Sequence, residues 1–153
     1  MKIERAAVQD APEILALQKL AYLSEAEIYN DFSIQPLLQT LEDLKSEFQS
    51  HDVFKVMQGN NLVGSVRTRV KGDTCHVGKL IVHPAYQNQG IGRALMSYIE
   101  HHNNMVKRFE LFTGHRSVRN LYLYEKLGYR EYKREKAGDH LTLIFLEKQL
   151  EET

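Results

Sequence analysis

A single cysteine, three prolines and no tryptophan occur in 153 residues. One thiol, Cys75, cannot close an internal disulfide, and such sparse cysteine use points to a reducing, cytoplasmic setting. So few prolines, beside nine glycines, exclude a collagen-like or proline-rich extended chain. Charge of one sign is not in excess either: 20 basic side chains face 20 acidic ones. No general attraction to nucleic acid or to an anionic membrane is therefore expected. Apolar runs stay well short of the roughly 18 residues a membrane span needs. The opening Met1-Lys2-Ile3-Glu4-Arg5 lacks the apolar core of a signal peptide. What is present is an ordinary globular composition, 42% hydrophobic and 26% charged. A chain of this length can bury a core without staples, which predicts one domain over residues 1–153.

Hydrophobic periodicity divides the chain into an α/β (α+β) pattern. Ile3 to Ala7 reads as a short strand. Asp10 with Glu13 three residues on forms a capping-box pattern, and Pro12 fits the first turn of the helix that follows. That helix carries its inward stripe at 14, 17, 18 and 21. Ser24 to Pro36 reads as irregular, mixing Glu25, Glu27 and Asp31 with Tyr29, Phe32 and Ile34. Thr40, with Asp43 three residues later, starts a second helix whose Leu41, Leu44 and Phe48 share a face. After His51 the period changes to alternation. Strands over 53–57, 62–70 and 74–82 are joined by turns at Gly59-Asn60-Asn61 and Lys71-Gly72-Asp73, an antiparallel meander. A helix over 90–102, a strand over 109–113, a helix over 118–127 and strands over 129–133 and 141–147 complete the chain. Gly138-Asp139 turns the last hairpin. The order is β-α-α-β-β-β-α-β-α-β-β, a mixed, mostly antiparallel seven-stranded sheet flanked by helices.

The segment richest in chemistry runs from Leu80 to Arg93. A strand ends at Val82, Pro84 stops its ladder, and a polar loop with Gly90 and Gly92 opens a helix. The unpaired N–H groups at a helix start, together with the helix dipole, favour an anion. Glycines there let phosphate oxygens approach the backbone, and Arg93 adds a charged donor. An ordinary strand-loop-helix connection would also use such glycines. A dinucleotide fingerprint is excluded because Leu95 stands where the third glycine belongs. A P-loop is excluded because Gly92 is followed by Arg93-Ala94.

Gln87-x-x-Gly90-x-Gly92, after Leu80-x-Val82-x-Pro84, resembles the pyrophosphate-binding motif of the GNAT superfamily of N-acetyltransferases. Downstream, Leu123-Tyr124-Glu125-Lys126-Leu127-Gly128-Tyr129 is similar to that family's second signature. The resemblance implies the GNAT fold, with the fourth and fifth strands splayed at a bulge and acetyl-CoA between them. It implies main-chain contacts from Leu80, Ile81 and Val82 to the pantetheine arm. It implies a pyrophosphate cradle over Gln87, Asn88, Gln89, Gly90, Ile91, Gly92 and Arg93, and a pantetheine contact from Asn120. The implied reaction is direct attack of a primary amine, of a small molecule, peptide or protein, on the acetyl thioester in a ternary complex. An acyl-CoA sensor without turnover, or transfer with another acyl donor or acceptor, is the alternative.

Such a reaction needs an acid for the departing thiolate and a base for the amine. Tyr124, a phenol of ordinary pKa about 10, is the acid that the resemblance implies. Its structural alternative is packing against Gly128 and Tyr129. His76 is the candidate base, because imidazole titrates near neutrality. A strand histidine bonded to its neighbours is the plainer reading, and Glu25, Glu27, Asp31 and Glu110 are rival bases. Strand alternation places Cys75 and His76 on opposite faces, so they form no nucleophilic pair. It also puts His76 on one face with Gly78, Leu80 and Val82 unless a bulge intervenes. No metal site is expected, since the adjacent His101 and His102 diverge by about 100° on a helix. Glu25, Glu27 and Asp31 suggest attraction of a cationic amine. A homodimer would use the C-terminal strands or exposed apolar helix faces.

Overall fold

A computed structural model describes residues 1–150. Seven strands form one sheet, in the spatial order β1-β2-β3-β4-β5-β7-β6. They are β1 (Lys2–Arg5), β2 (Asp52–Gln58), β3 (Asn61–Lys71), β4 (Thr74–Val82), β5 (Arg108–Gly114), β6 (Arg130–Lys136) and β7 (Thr142–Gln149). Five helices flank it: α1 (Ala11–Tyr29), α2 (Gln35–Leu38), α3 (Leu41–Glu47), α4 (Ile91–His102) and α5 (Val118–Lys126). Every strand pair is antiparallel except β4 with β5. The expected sheet and order are present, with one added turn of helix, α2.

The helix starts follow local chemistry, with one correction. Thr40 caps α3 as expected, its hydroxyl accepting from the Asp43 N–H at 3.1 Å. Asp10 does not cap α1. Its carboxylate turns back to accept from the Ala7 N–H at 2.8 Å, closing the one-turn 3-10 helix over Val8–Asp10 instead. A larger correction concerns Ser24 to Pro36. Helix α1 continues through Ser24–Tyr29 and stops only at Asn30, which takes the left-handed conformation (φ 49°) that terminates helices. Glu25, Ala26 and Glu27 are adequate helix formers, so the mixed polarity there marks a helix with two wet sides.

The main core lies between the sheet and helices α4 and α5. Leu95, Met96 and Ile99 of α4 are fully buried, packed with Val66, Cys75 and Phe109. Each such side chain contributes about 1.5–3 kcal/mol of burial. The other face packs Ile14 of α1 and Leu44 of α3 with Val53 of β2. Among the described residues no helix is long and apolar enough to cross a membrane.

Two features of the sheet shape the site. Strands β4 and β5 pair over only three residues, from Thr74↔Arg108 to His76↔Glu110, and then part. On the other side of β4, Ser65 opposes Ile81 while Arg67 opposes Gly78, so β4 carries an extra residue. Lys79 takes up this bulge with φ 52°. Cross-strand partners share a face, so the bulge puts Ile81, rather than Leu80 and Val82, on the face of His76 and Gly78.

Candidate active site

Two cavities meet where β4 and β5 part. The first, of about 560 Å³, runs along Leu80, Ile81 and Val82 to the loop before α4. Gln87, Asn88, Gly90, Ile91, Gly92 and Arg93 line it, as does Asn120 of α5. Gln89 is exposed and does not line it. The second, of about 910 Å³, lies on the other side of the gap, bounded by β4, β5, residues 31–36 and the β6–β7 hairpin. Tyr124 and His76 line this one. Four residues, Tyr22, Glu25, Leu80 and Asn120, line both cavities and so form the throat between them.

The chemistry of the first cavity is that of an anion cradle. Gly90 precedes α4 with φ 81°, which turns the loop so that the first-turn N–H groups of the helix face out. At Gly92 a Cβ would lie 3.3 Å from Leu123, so the glycine also lets α4 and α5 approach. Arg119 of α5 hydrogen-bonds the Gln87 side chain and ties the loop down. Asn120 donates to Thr113 Oγ1 at 3.3 Å, bridging α5 to β5 at the throat.

Tyr124 is 5% exposed and lies beside the Tyr129 ring. Burial, with the nearby Tyr22 and Glu25, pushes its pKa well above the ordinary phenol range. It therefore holds its proton at neutral pH. Burial and Glu25 also raise Tyr22, to about 12, against the pull of Arg67. His76 is half-exposed, its Nδ1 3.7 Å from a carboxylate oxygen of Glu110. Cys75 is fully buried on the opposite face, and burial holds its thiol up to about 12, so it is inert.

The rival carboxylates separate clearly. Burial works against the charge of Glu110, but hydrogen bonds from Tyr132 and Arg108 prevail and hold its pKa low. Asp31 accepts from the backbone N–H and hydroxyl of Ser33, which lower its pKa. Glu27 is exposed and lines neither cavity. Glu25 stands at the throat and belongs to a chain of hydrogen bonds. The Arg116 N–H donates to Tyr29 Oη at 2.8 Å, Tyr29 and Ser117 hydroxyls are 2.9 Å apart, and Ser117 donates to Glu25 Oε2 at 2.5 Å. Ser117 is the N-cap residue of α5, yet its hydroxyl caps nothing. A capping serine contributes about 0.5–2 kcal/mol, which this one forgoes to hold Glu25. Gly114 is required here, since a Cβ would lie 2.1 Å from Tyr29 Oη.

Beneath the second cavity lies a buried polar cluster that periodicity did not reveal. Arg67 of β3, 2% exposed, donates to Glu47 at 3.0 Å and to Gln39 at 3.3 Å, and also bonds Gln18. Gln18 in turn donates to Gln39 and to the Pro36 carbonyl, each at 2.9 Å. This cluster joins α1, α2 and α3 to the sheet and so fixes one wall of the cavity. Tyr22, Glu25 and Tyr29 were also hidden as a group. Their spacing puts them on one face of α1 once the helix is known to continue to Tyr29.

A parted parallel strand pair, a bulge, and a glycine-led helix start beside the gap define a GNAT-type acetyltransferase fold. The profile of the GNAT acetyltransferase domain matches residues 23–150, and the chain belongs to that family. The UPF0157 protein YqkA of Bacillus subtilis is 31% identical over 134 residues, which are 87% of this chain and 38% of that protein. The chain thus spans well under half the length of that relative. Among solved structures, the ribosomal-protein-S18-alanine N-acetyltransferase of Escherichia coli superposes with a TM-score of 0.82 at 18% identity, covering 99% of this chain and 95% of that one. PaiA N-acetyltransferase of Thermoplasma acidophilum, in complex with coenzyme A, gives 0.82 at 16% identity, covering 98% and 100%.

Proposed function

We propose that the protein is an N-acetyltransferase that moves an acetyl group from acetyl-CoA to a primary amine by direct attack in a ternary complex. The observation that carries this reading is the pair of cavities meeting at one throat, one with an anion cradle and one with none. In this reading the pyrophosphate of acetyl-CoA sits against the loop from Gln87 to Arg93 at the start of α4. The pantetheine arm follows Leu80, Ile81 and Val82, with Asn120 beside it. The amine enters through the second cavity. The coenzyme A complex of the PaiA relative supports the cosubstrate, and the S18-alanine enzyme supports an amine as acceptor.

Each residue has a separate task. A backbone N–H of β4 near Ile81 is the donor for the negative charge that develops on the carbonyl oxygen. Tyr124 gives its proton to the thiolate as the carbon–sulfur bond breaks. His76, half-exposed on the wall of the acceptor cavity, removes the proton that the incoming ammonium must lose before it can attack. A buried thiol and no membrane-crossing helix among the described residues are consistent with work in the cytoplasm, as a monomer or homodimer.

The test is release of coenzyme A thiol from acetyl-CoA with tyramine, spermidine and a peptide bearing an N-terminal alanine. Release that depends on one of these amines is expected. Tight acetyl-CoA binding without release from any amine would leave an acyl-CoA sensor. Release that prefers a longer acyl-CoA or a hydroxyl acceptor would change the donor or acceptor and keep the fold's chemistry.

A further inference from the structure

We infer that Glu25 is the catalytic base that takes the proton from the acceptor nitrogen at the moment of acetyl transfer; this rests on the acetyltransferase reading above. Four carboxylates line the acceptor cavity, Glu25, Asp31, Glu47 and Asp139. Glu25 is the one among them that also lines the first cavity. It therefore stands where the two substrates must touch. Glu47 is engaged with Arg67 at 3.0 Å, and Asp31 with Ser33 at 2.8 Å.

The hydrogen-bond chain behind Glu25 has a fixed direction. A backbone N–H can only donate, so Arg116 fills an acceptor site on Tyr29 Oη. Ser117 gives its single proton to the Glu25 carboxylate, so of the two hydroxyls it is Tyr29 that donates to Ser117. The chain ends on Oε2, leaving Oε1 to accept from a molecule in the throat. Ser117 and Tyr29 are positioning residues: they hold the carboxylate through their hydroxyls. The serine that caps no helix and the glycine that admits the Tyr29 hydroxyl both serve this chain.

The proton balance closes. The ammonium loses one proton to solvent through His76. The neutral nitrogen then bonds to the acetyl carbon and gives its next proton to Glu25, while the carbon–sulfur bond breaks and the thiolate takes the Tyr124 proton. Glu25 and Tyr124 are close enough for the charge of one to raise the other's pKa. Passing the proton from Glu25 to Tyr124 through water restores both groups. Ammonium and acetyl-CoA thus become amide, thiol and one released proton.

The experiment measures kcat for thiol release with the best amine of the panel above, in wild type, Glu25→Gln and Glu25→Ala. Glu25→Gln should slow turnover about tenfold or more, with the thermal stabilisation by acetyl-CoA retained. Formate, a small carboxylate able to enter the space left by Glu25→Ala, should restore part of its rate, which a merely structural role would not permit. A Glu25→Gln rate within about twofold of wild type, or slowing that formate does not relieve in Glu25→Ala, overturns the assignment and leaves the acetyltransferase reading intact. Wild-type protein that binds acetyl-CoA yet releases no thiol with any amine overturns both.

Discussion

Tyr124→Phe should lower kcat by about a hundredfold, at the lower end of what a positioned acid contributes, while leaving acetyl-CoA affinity nearly unchanged. The substitution removes one oxygen and keeps the ring that packs beside Tyr129 in the core of α5. Its effect therefore falls on proton transfer more than on folding. A buried phenol that holds its proton tightly is a poor acid toward water. It is suited to a thiolate formed beside it, where negative charge on sulfur strengthens the hydrogen bond as the bond to carbon lengthens. Steady-state kinetics that separate kcat from the KM for acetyl-CoA provide the check. Unchanged turnover would mean that the thiolate leaves unaided or is protonated by water.

Arg67→Ala carries the largest expected effect on stability, a loss of about 3–5 kcal/mol, because it leaves Glu47 without its counter-ion and empties the buried space the guanidinium fills. Burial presses the guanidinium pKa down, and Glu47 opposes that pressure, so the charge is held by the cluster around it. Removing it leaves the Oε1 of Gln18, a side chain 0% exposed, without its donor and breaks the link between β3 and the three helices above it. Arg67→Met should cost less, because it refills part of the volume. Urea unfolding of the three proteins measures this directly. An Arg67→Ala midpoint equal to wild type would show that the cluster is not the brace described here.

How much of this was legible in the sequence depends on how local each feature is. The loop before α4 and its helix start are built from consecutive residues, so Gly90, Gly92 and Arg93 mark them without help from the rest of the chain. The strands of the meander are set off by turn residues at Gly59-Asn60-Asn61 and Lys71-Gly72-Asp73, and their order followed. The end of α1 was misread because Glu25 and Glu27 interrupt its apolar stripe. At Glu25 the interruption faces a throat that only the folded sheet creates. The chain from Glu25 through Ser117 to Tyr29 joins residues 92 and 88 positions apart, a pairing to which no local pattern points. Arg67 reads as one charge in an alternating strand until Gln18, Gln39 and Glu47 close around it. The resemblance implied a bulge where the strands part, while the residues themselves offered it only as a condition on the face of His76; at Lys79 it exchanged Ile81 for Leu80 and Val82.

In the proposed function the loop and helix start from Gln87 to Arg93 hold acetyl-CoA, and a thermal-shift titration with acetyl-CoA, coenzyme A and ATP side by side is the first test. Held at 100 times its dissociation constant, a ligand of the folded state adds about 2.7 kcal/mol of stability. An upward shift of that order is expected with acetyl-CoA and with coenzyme A, and little with ATP. Folded protein that responds to neither coenzyme A species would contradict it.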